Sequence, residues 1–319
     1  MSGVVPELAD AVVAQWLLVV GAVNALPADS FAKASGLPGW TVGDLVMHVA
    51  RSAGALIEAL TPTDGRGRRG GSAGAGRPQT RPVSAIDYLT GTGARAESIA
   101  DVARELSASV SGSGPVSGSG MERDHLATEV SRAQAALAGL IGPTRGAVAP
   151  DRAAASGRVA RDGAASGAAA ASGGEPHDGG GGPPDGEAGV DRLVVTPGGP
   201  MMLGEFLRTR VVEAVVHGLD LGVTPSRPAL RVATRLIAEL FAARVPGHAV
   251  ELRVPPFAAV QVVEGPRHTR GTPPNVVEAG PVPFLLVCTG RVDFADAVAD
   301  GRITASGERS DISPHLPLL

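Results

Sequence analysis

Residues 143–189 hold almost no large apolar side chain; they are mostly Ala, Gly, Pro and Ser with scattered charges. Ordering a residue costs roughly 1–2 kcal/mol of conformational entropy, and such a segment has nothing to bury in return. It is expected to be disordered, so the periodic segments on its two sides must complete a shared core across it. A second stretch, TDGRGRRGGSAGAGRPQTRP at 63–82, also lacks periodicity and reads as a mobile loop between two helices. It lacks the G-K-[ST] ending that a phosphate-binding loop needs. With both set aside, a chain of 319 residues that is 44% hydrophobic can still build two cores.

The remaining segments are helical first and mixed later. Residues 6–26 read as a helix opened by Pro6, and its apolar run is AVVAQWLLVVGAVNAL at 11–26. Two acids and no base precede it, unlike a signal peptide, and Gln15 and Asn24 interrupt it short of the ~20 apolar residues that span a bilayer. It is expected to be a bundle helix with no membrane insertion. A second helix starts at Thr41, where Thr41 and Asp44 have capping-box spacing, and its inner face is Leu45, Val49, Ala53, Leu56 and Leu60. Further helices are predicted over 84–110, 121–141 and 203–220. From about 226 the pattern is helix, two strands, a loop (PRHTRGTPPN), a strand, two short helices and a strand, the signature of a small α+β layer. The expected fold class is therefore α plus α+β, with a helical domain over 1–225, interrupted at 63–82 and 143–189, and an α+β domain over 226–319.

A net charge of −4 and a pI near 6.0 offer no general attraction to nucleic acid. Of 28 basic residues only Lys33 is a lysine, a bias expected of a GC-rich bacterial genome. Cys288 is the sole cysteine, which excludes an internal disulfide and a cysteine-based metal site and fits a reducing cytoplasm. Its apolar helix makes it a core residue rather than a nucleophile. His125, His177 and His315 lie in weakly patterned or terminal sequence. Arg267, His268 and Arg270 sit between prolines, where they form either a rigid loop or an anion site.

The chemistry concentrates on the 203–220 helix. Glu213 and His217 are four apart and lie one above the other on one face, a two-point clamp of carboxylate oxygen and imidazole nitrogen suited to zinc or another first-row divalent ion. Spacing alone leaves a second reading open, a solvated stripe made of Thr209, Arg210, Glu213, His217 and Asp220. His48, beside Leu45 and Val49, is the best third ligand, or else a hydrogen-bonded boundary histidine.

Two strings carry a resemblance. LPGWTVGDLVMHVA (37–50) and RTRVVEAVVHGLDLG (208–222) resemble the two signatures of the mycothiol-dependent maleylpyruvate isomerase family in the DinB-like superfamily. The resemblance implies a DinB-like four-helix bundle in which His48, Glu213 and His217 hold one metal, usually zinc, and Asp220 handles the thiol cofactor, mycothiol. The C-terminal part, 228–319, resembles the bacterial sterol-carrier-protein-like domain that follows this bundle in actinobacterial proteins. TGR, ending in Arg291, is similar to the segment where family isomerases place a functional arginine; the other reading of Arg291 is a helix C-terminal charge. The chain departs from the family in its Gly-rich insertions. Two functions follow as expectations. One is a metal-dependent, mycothiol-type isomerase or S-transferase acting on a small electrophile, with Asp220 orienting the cofactor and Arg291 binding substrate carboxylate. The alternative is a non-enzymatic carrier of a lipid or other apolar ligand.

Overall fold

A computed structural model describes residues 4–61, 81–111, 118–141, 191–265 and 274–319. The expected disorder of 143–189, the 63–82 loop apart from its last two residues, His177, and Arg267, His268 and Arg270 lie outside the described residues.

Helix α1 (Val4–Ala25) buries Val5, Leu8, Val12, Trp16, Val19 and Val23, a spacing of three and four that lines one face. Its length and composition would suffice to cross a membrane, yet this helix packs on its neighbours within the bundle. Helix α2 (Val42–Leu60) opens with the capping box expected of it: Asp44 N–H donates to Thr41 Oγ1 at 3.1 Å and Thr41 N–H to Asp44 Oδ2 at 2.9 Å. Its five expected core residues are all buried.

The 84–110 pattern forms two helices instead of one, α3 (Ala85–Thr90) and α4 (Thr92–Ser111). The break falls at Gly91, a poor helix former, where the Gly91 N–H closes on the Asp87 carbonyl. Helix α5 (Gly118–Ile141) buries Leu126, Val130, Ala133 and Leu137. A hairpin that the sequence reading did not anticipate, β1 (Leu193–Thr196) and β2 (Gly199–Met202), pairs Leu193 with Met202 and leads into α6 (Leu203–Asp220).

The pairs α1/α6, α6/α2, α2/α5 and α5/α1 touch in a closed cycle, which is the four-helix bundle. Gly218 permits the close approach of α6 to α1, since a Cβ there would lie 3.0 Å from Gln15 Nε2 and 3.4 Å from Val19. Helix α4 lies outside the ring against α2 and α5.

Helix α7 (Arg227–Arg244), N-capped by Ser226, is followed by β3 (Val250–Val254), β4 (Ala258–Val262), β5 (Val276–Ala279), α8 (Pro281–Cys288), α9 (Phe294–Ala299) and β6 (Ile303–Ser306). The sheet order is β4-β3-β5-β6, with β3 and β5 parallel and both outer pairs antiparallel. This is the small α+β layer that the pattern predicted. Helix α7 packs against β4 and α8 on one side and α6, α1 and α3 on the other. One apolar core therefore runs from Val5 to Leu318.

Candidate metal centre

Glu213 and His217, one turn apart on α6, project toward α2, which brings His48. His48 is set by its neighbours: Leu45 and Val49 are buried on the same helix, and the Trp40 ring meets the His48 ring edge to face with centroids 5.4 Å apart. His48 Nε2 lies 2.9 Å from Glu213 Oε1. The His48 and His217 rings are perpendicular with centroids 4.9 Å apart. One ligand atom from each of the three residues lies within 4.8 Å of the other two. A tetrahedral zinc ion with bonds of about 2.0–2.1 Å separates neighbouring ligand atoms by roughly 3.3 Å, so small side-chain rotations would bring this set to the spacing of one ion. Two imidazoles and a carboxylate are a fitting donor set for a first-row divalent cation.

A second layer of contacts orients the first. Asp220 Oδ2 lies 3.1 Å from His217 Nδ1, which leaves Nε2 as the ring nitrogen available to an ion. Arg291 grips the same carboxylate, Nε to Oδ1 at 3.1 Å and Nη2 to Oδ2 at 2.8 Å, while its Nη1 donates to the Thr289 carbonyl at 2.7 Å. The Asp220 side chain is 2% exposed. On the other side, Arg210 Nη1 lies 2.6 Å from Glu213 Oε2. Arg210 is fixed in turn by Ser52 Oγ at 3.1 Å, by Tyr88 OH at 3.2 Å, and by the Phe206 ring beneath its guanidinium at 4.8 Å.

These contacts set the charges. Burial alone would raise the Glu213 carboxyl, but the Arg210 guanidinium and the His48 and His217 rings outweigh it and hold Glu213 well below the usual carboxylate range. Burial likewise opposes ionisation of Asp220, and the hydrogen bonds from His217 and Arg291 bring it down to about 2. Burial lowers His217 despite its hydrogen bond to Asp220. Each shift favours the unprotonated ligand form that a cation requires. Cys288, by contrast, is buried, and burial pushes its thiol up.

All five residues singled out from sequence thus meet in one place. Asp220 and Arg291, expected to serve cofactor and substrate, face each other in a half-buried ion pair behind His217. Arg210 was read only as part of a polar stripe. Its position three residues before Glu213, on the same face, was the available signal.

A cavity of about 590 Å³ opens onto the triad, with Trp40, Ala55, Leu89, Val102 and Val216 among its walls and Arg291 and Leu319 on its C-terminal side.

Two family models match the chain. Residues 12–123 match the mycothiol maleylpyruvate isomerase N-terminal domain, and residues 226–318 match the bacterial SCP ortholog family. The chain joins a maleylpyruvate isomerase-like N-terminal domain to a bacterial SCP-like domain. Glu213, His217 and Asp220 lie between the two matched stretches. Among solved structures, the chain is similar to a mycothiol-dependent maleylpyruvate isomerase, with 15% identity and a TM-score of 0.52, covering 97% of this chain and 94% of that one. A mutant of a mycothiol-dependent maleylpyruvate isomerase aligns equally well, at 14% identity and a TM-score of 0.52 over the same shares. At this identity the likeness establishes the shared fold. No curated protein matches the chain.

Proposed function

We propose that the chain is a metal-dependent thiol enzyme of the mycothiol type, an isomerase or S-transferase acting on a small electrophile. His48, Glu213 and His217 hold one divalent ion, for which zinc is the best match. The observation that carries this reading is the convergence of the three ligand atoms within 4.8 Å at the floor of a cavity. The N-terminal match to the mycothiol isomerase family supports it.

When bound, the ion supplies a nucleophile at neutral pH by lowering the pKa of a coordinated thiol. The chain does the rest. Three protein ligands would leave such an ion a position for a thiol. Arg210 occupies Glu213 Oε2, so Oε1, beside His48 Nε2, is the oxygen left to hold an ion. Asp220 fixes the tautomer of His217, and Arg291 balances the Asp220 charge. Trp40, Leu89, Val102 and Val216 supply apolar wall around the approach to the triad.

The test is spectroscopic. Cobalt-substituted protein is expected to develop a sulfur-to-metal charge-transfer band when mycothiol is added, and His217→Ala to lack it. A fully metallated parent that shows no band with mycothiol would refute the thiol-enzyme reading.

A further inference from the structure

We infer that Leu319 is a specificity-determining residue: it sets the upper size of the apolar body that the cavity over the triad admits, and Arg244 holds it in position. That this body belongs to a substrate rests on the thiol-enzyme reading above; the size limit rests on the wall alone.

The sheet layer reaches the cavity through few residues. Among the described residues that line it, Thr289, Arg291 and Leu319 come from the layer, and the rest come from the bundle, its hairpin and the turn before α2. Thr289 donates to the Leu285 carbonyl at 2.7 Å and Arg291 is bound to Asp220, so the apolar wall on this side is Leu319. Leu319 is half-buried and packs against the apolar core.

A residue outside helix and strand shapes a cavity only if its backbone is tied down, and here it is. The N–H groups of Leu318 and Leu319 both donate to the Cys288 carbonyl at the end of α8, at 2.7 and 3.3 Å. Leu318 is 4% exposed and anchors the segment in the core. Arg244, the last residue of α7, donates Nη1 to the Leu318 carbonyl and Nη2 to the Thr90 carbonyl, the latter at 3.5 Å. Thr90 lies between Leu89 and Thr92, which line the same cavity. One guanidinium therefore ties segment 316–319 to the stretch of the bundle that supplies neighbouring wall. The cavity holds about 590 Å³. An apolar chain entering it gains about fourfold in affinity for each methylene it buries, until it meets a wall that closely packed surroundings prevent from yielding.

The experiment uses the full chain and N-phenyl-1-naphthylamine, a neutral fluorophore that brightens in apolar surroundings, displaced by straight-chain primary alcohols from hexanol to dodecanol. Affinity is expected to rise about fourfold per methylene and then to stop rising at one chain length. Leu319→Ala opens room for roughly two more methylenes and is expected to move that cutoff to longer alcohols by as much. Leu319→Trp fills the space and is expected to move it to shorter ones and to weaken the fluorophore about tenfold. Arg244 is not itself among the lining residues. Arg244→Met releases the Leu318 carbonyl and is expected to lengthen the cutoff as Leu319→Ala does. The same cutoff in the parent and in both Leu319 variants, each melting within a few degrees of the parent, would overturn the inference. So would a parent that shows no cutoff or does not bind the fluorophore saturably. Failure of the thiol-enzyme reading appears separately, as a missing cobalt–thiol band, and leaves the cutoff result standing.

Discussion

Glu213 has two oxygens and two different neighbours, and that asymmetry organises the site. Oε1 faces His48 and Oε2 faces Arg210. Arg210 is the cation that lets a carboxylate sit here ionised. Replacing it with methionine keeps most of the volume but leaves Glu213 Oε2 without its guanidinium partner in a largely covered site, at a cost of up to about 3–5 kcal/mol. A divalent ion would restore the missing charge. Arg210→Met is therefore expected to melt well below the parent without metal and to recover most of the difference when zinc is added, as calorimetry with and without zinc would read. A deficit unchanged by zinc would place the Arg210 effect in packing. The i, i+4 spacing of Glu213 and His217 made the clamp legible in the sequence. The choice of His48 as third ligand leaned on the resemblance of the surrounding string. The i, i+3 spacing of Arg210 to Glu213 was visible, but its role was legible only in part, because Ser52 and Tyr88, which aim it, are far away in the chain.

Among the elements, local signals were readable where chain neighbours make the structure. Thr41 and Asp44 announced the start of α2, and the capping box is present. Thr41→Ala is expected to cost about 1 kcal/mol of stability while metal stoichiometry stays that of the parent, because His48 lies nearly two turns inside the helix. A lower melting temperature with unchanged metal content would bear this out; lost metal would mean that the helix start positions His48 directly. The Gly91 break between α3 and α4 was hidden by apolar periodicity on both sides of it. The β1/β2 hairpin was missed for the opposite reason: Pro and Gly around TPGGP read as loop, and strands of four residues carry too little alternation to show. In the C-terminal layer, strands with clearer alternation and helices bounded by Pro, Gly and Asp were legible in kind and order.

At the scale of the whole molecule, the bundle and the sheet layer share one core, and the site sits where they meet. Asp220 ends α6 of the bundle and Arg291 follows α8 of the layer, and their ion pair closes the site from behind. No sequence pattern could reveal that pairing, since it depends on how α7 seats the layer against the bundle. Arg291→Met should release Asp220 from its clamp and loosen His217. Metal affinity is then expected to fall about 10- to 100-fold, the usual effect of removing an outer partner of a ligand, as a chelator competition assay would show. Unchanged affinity would mean that Asp220 orients His217 without help from the layer.

The central claim is that three residues from two helices of the bundle hold one ion, and metal analysis of the purified full chain tests it most directly. The account predicts close to one divalent ion per chain in the parent and a large loss in both His48→Ala and Glu213→Gln, each folded by circular dichroism. Variants that retain as much metal as the parent would contradict it.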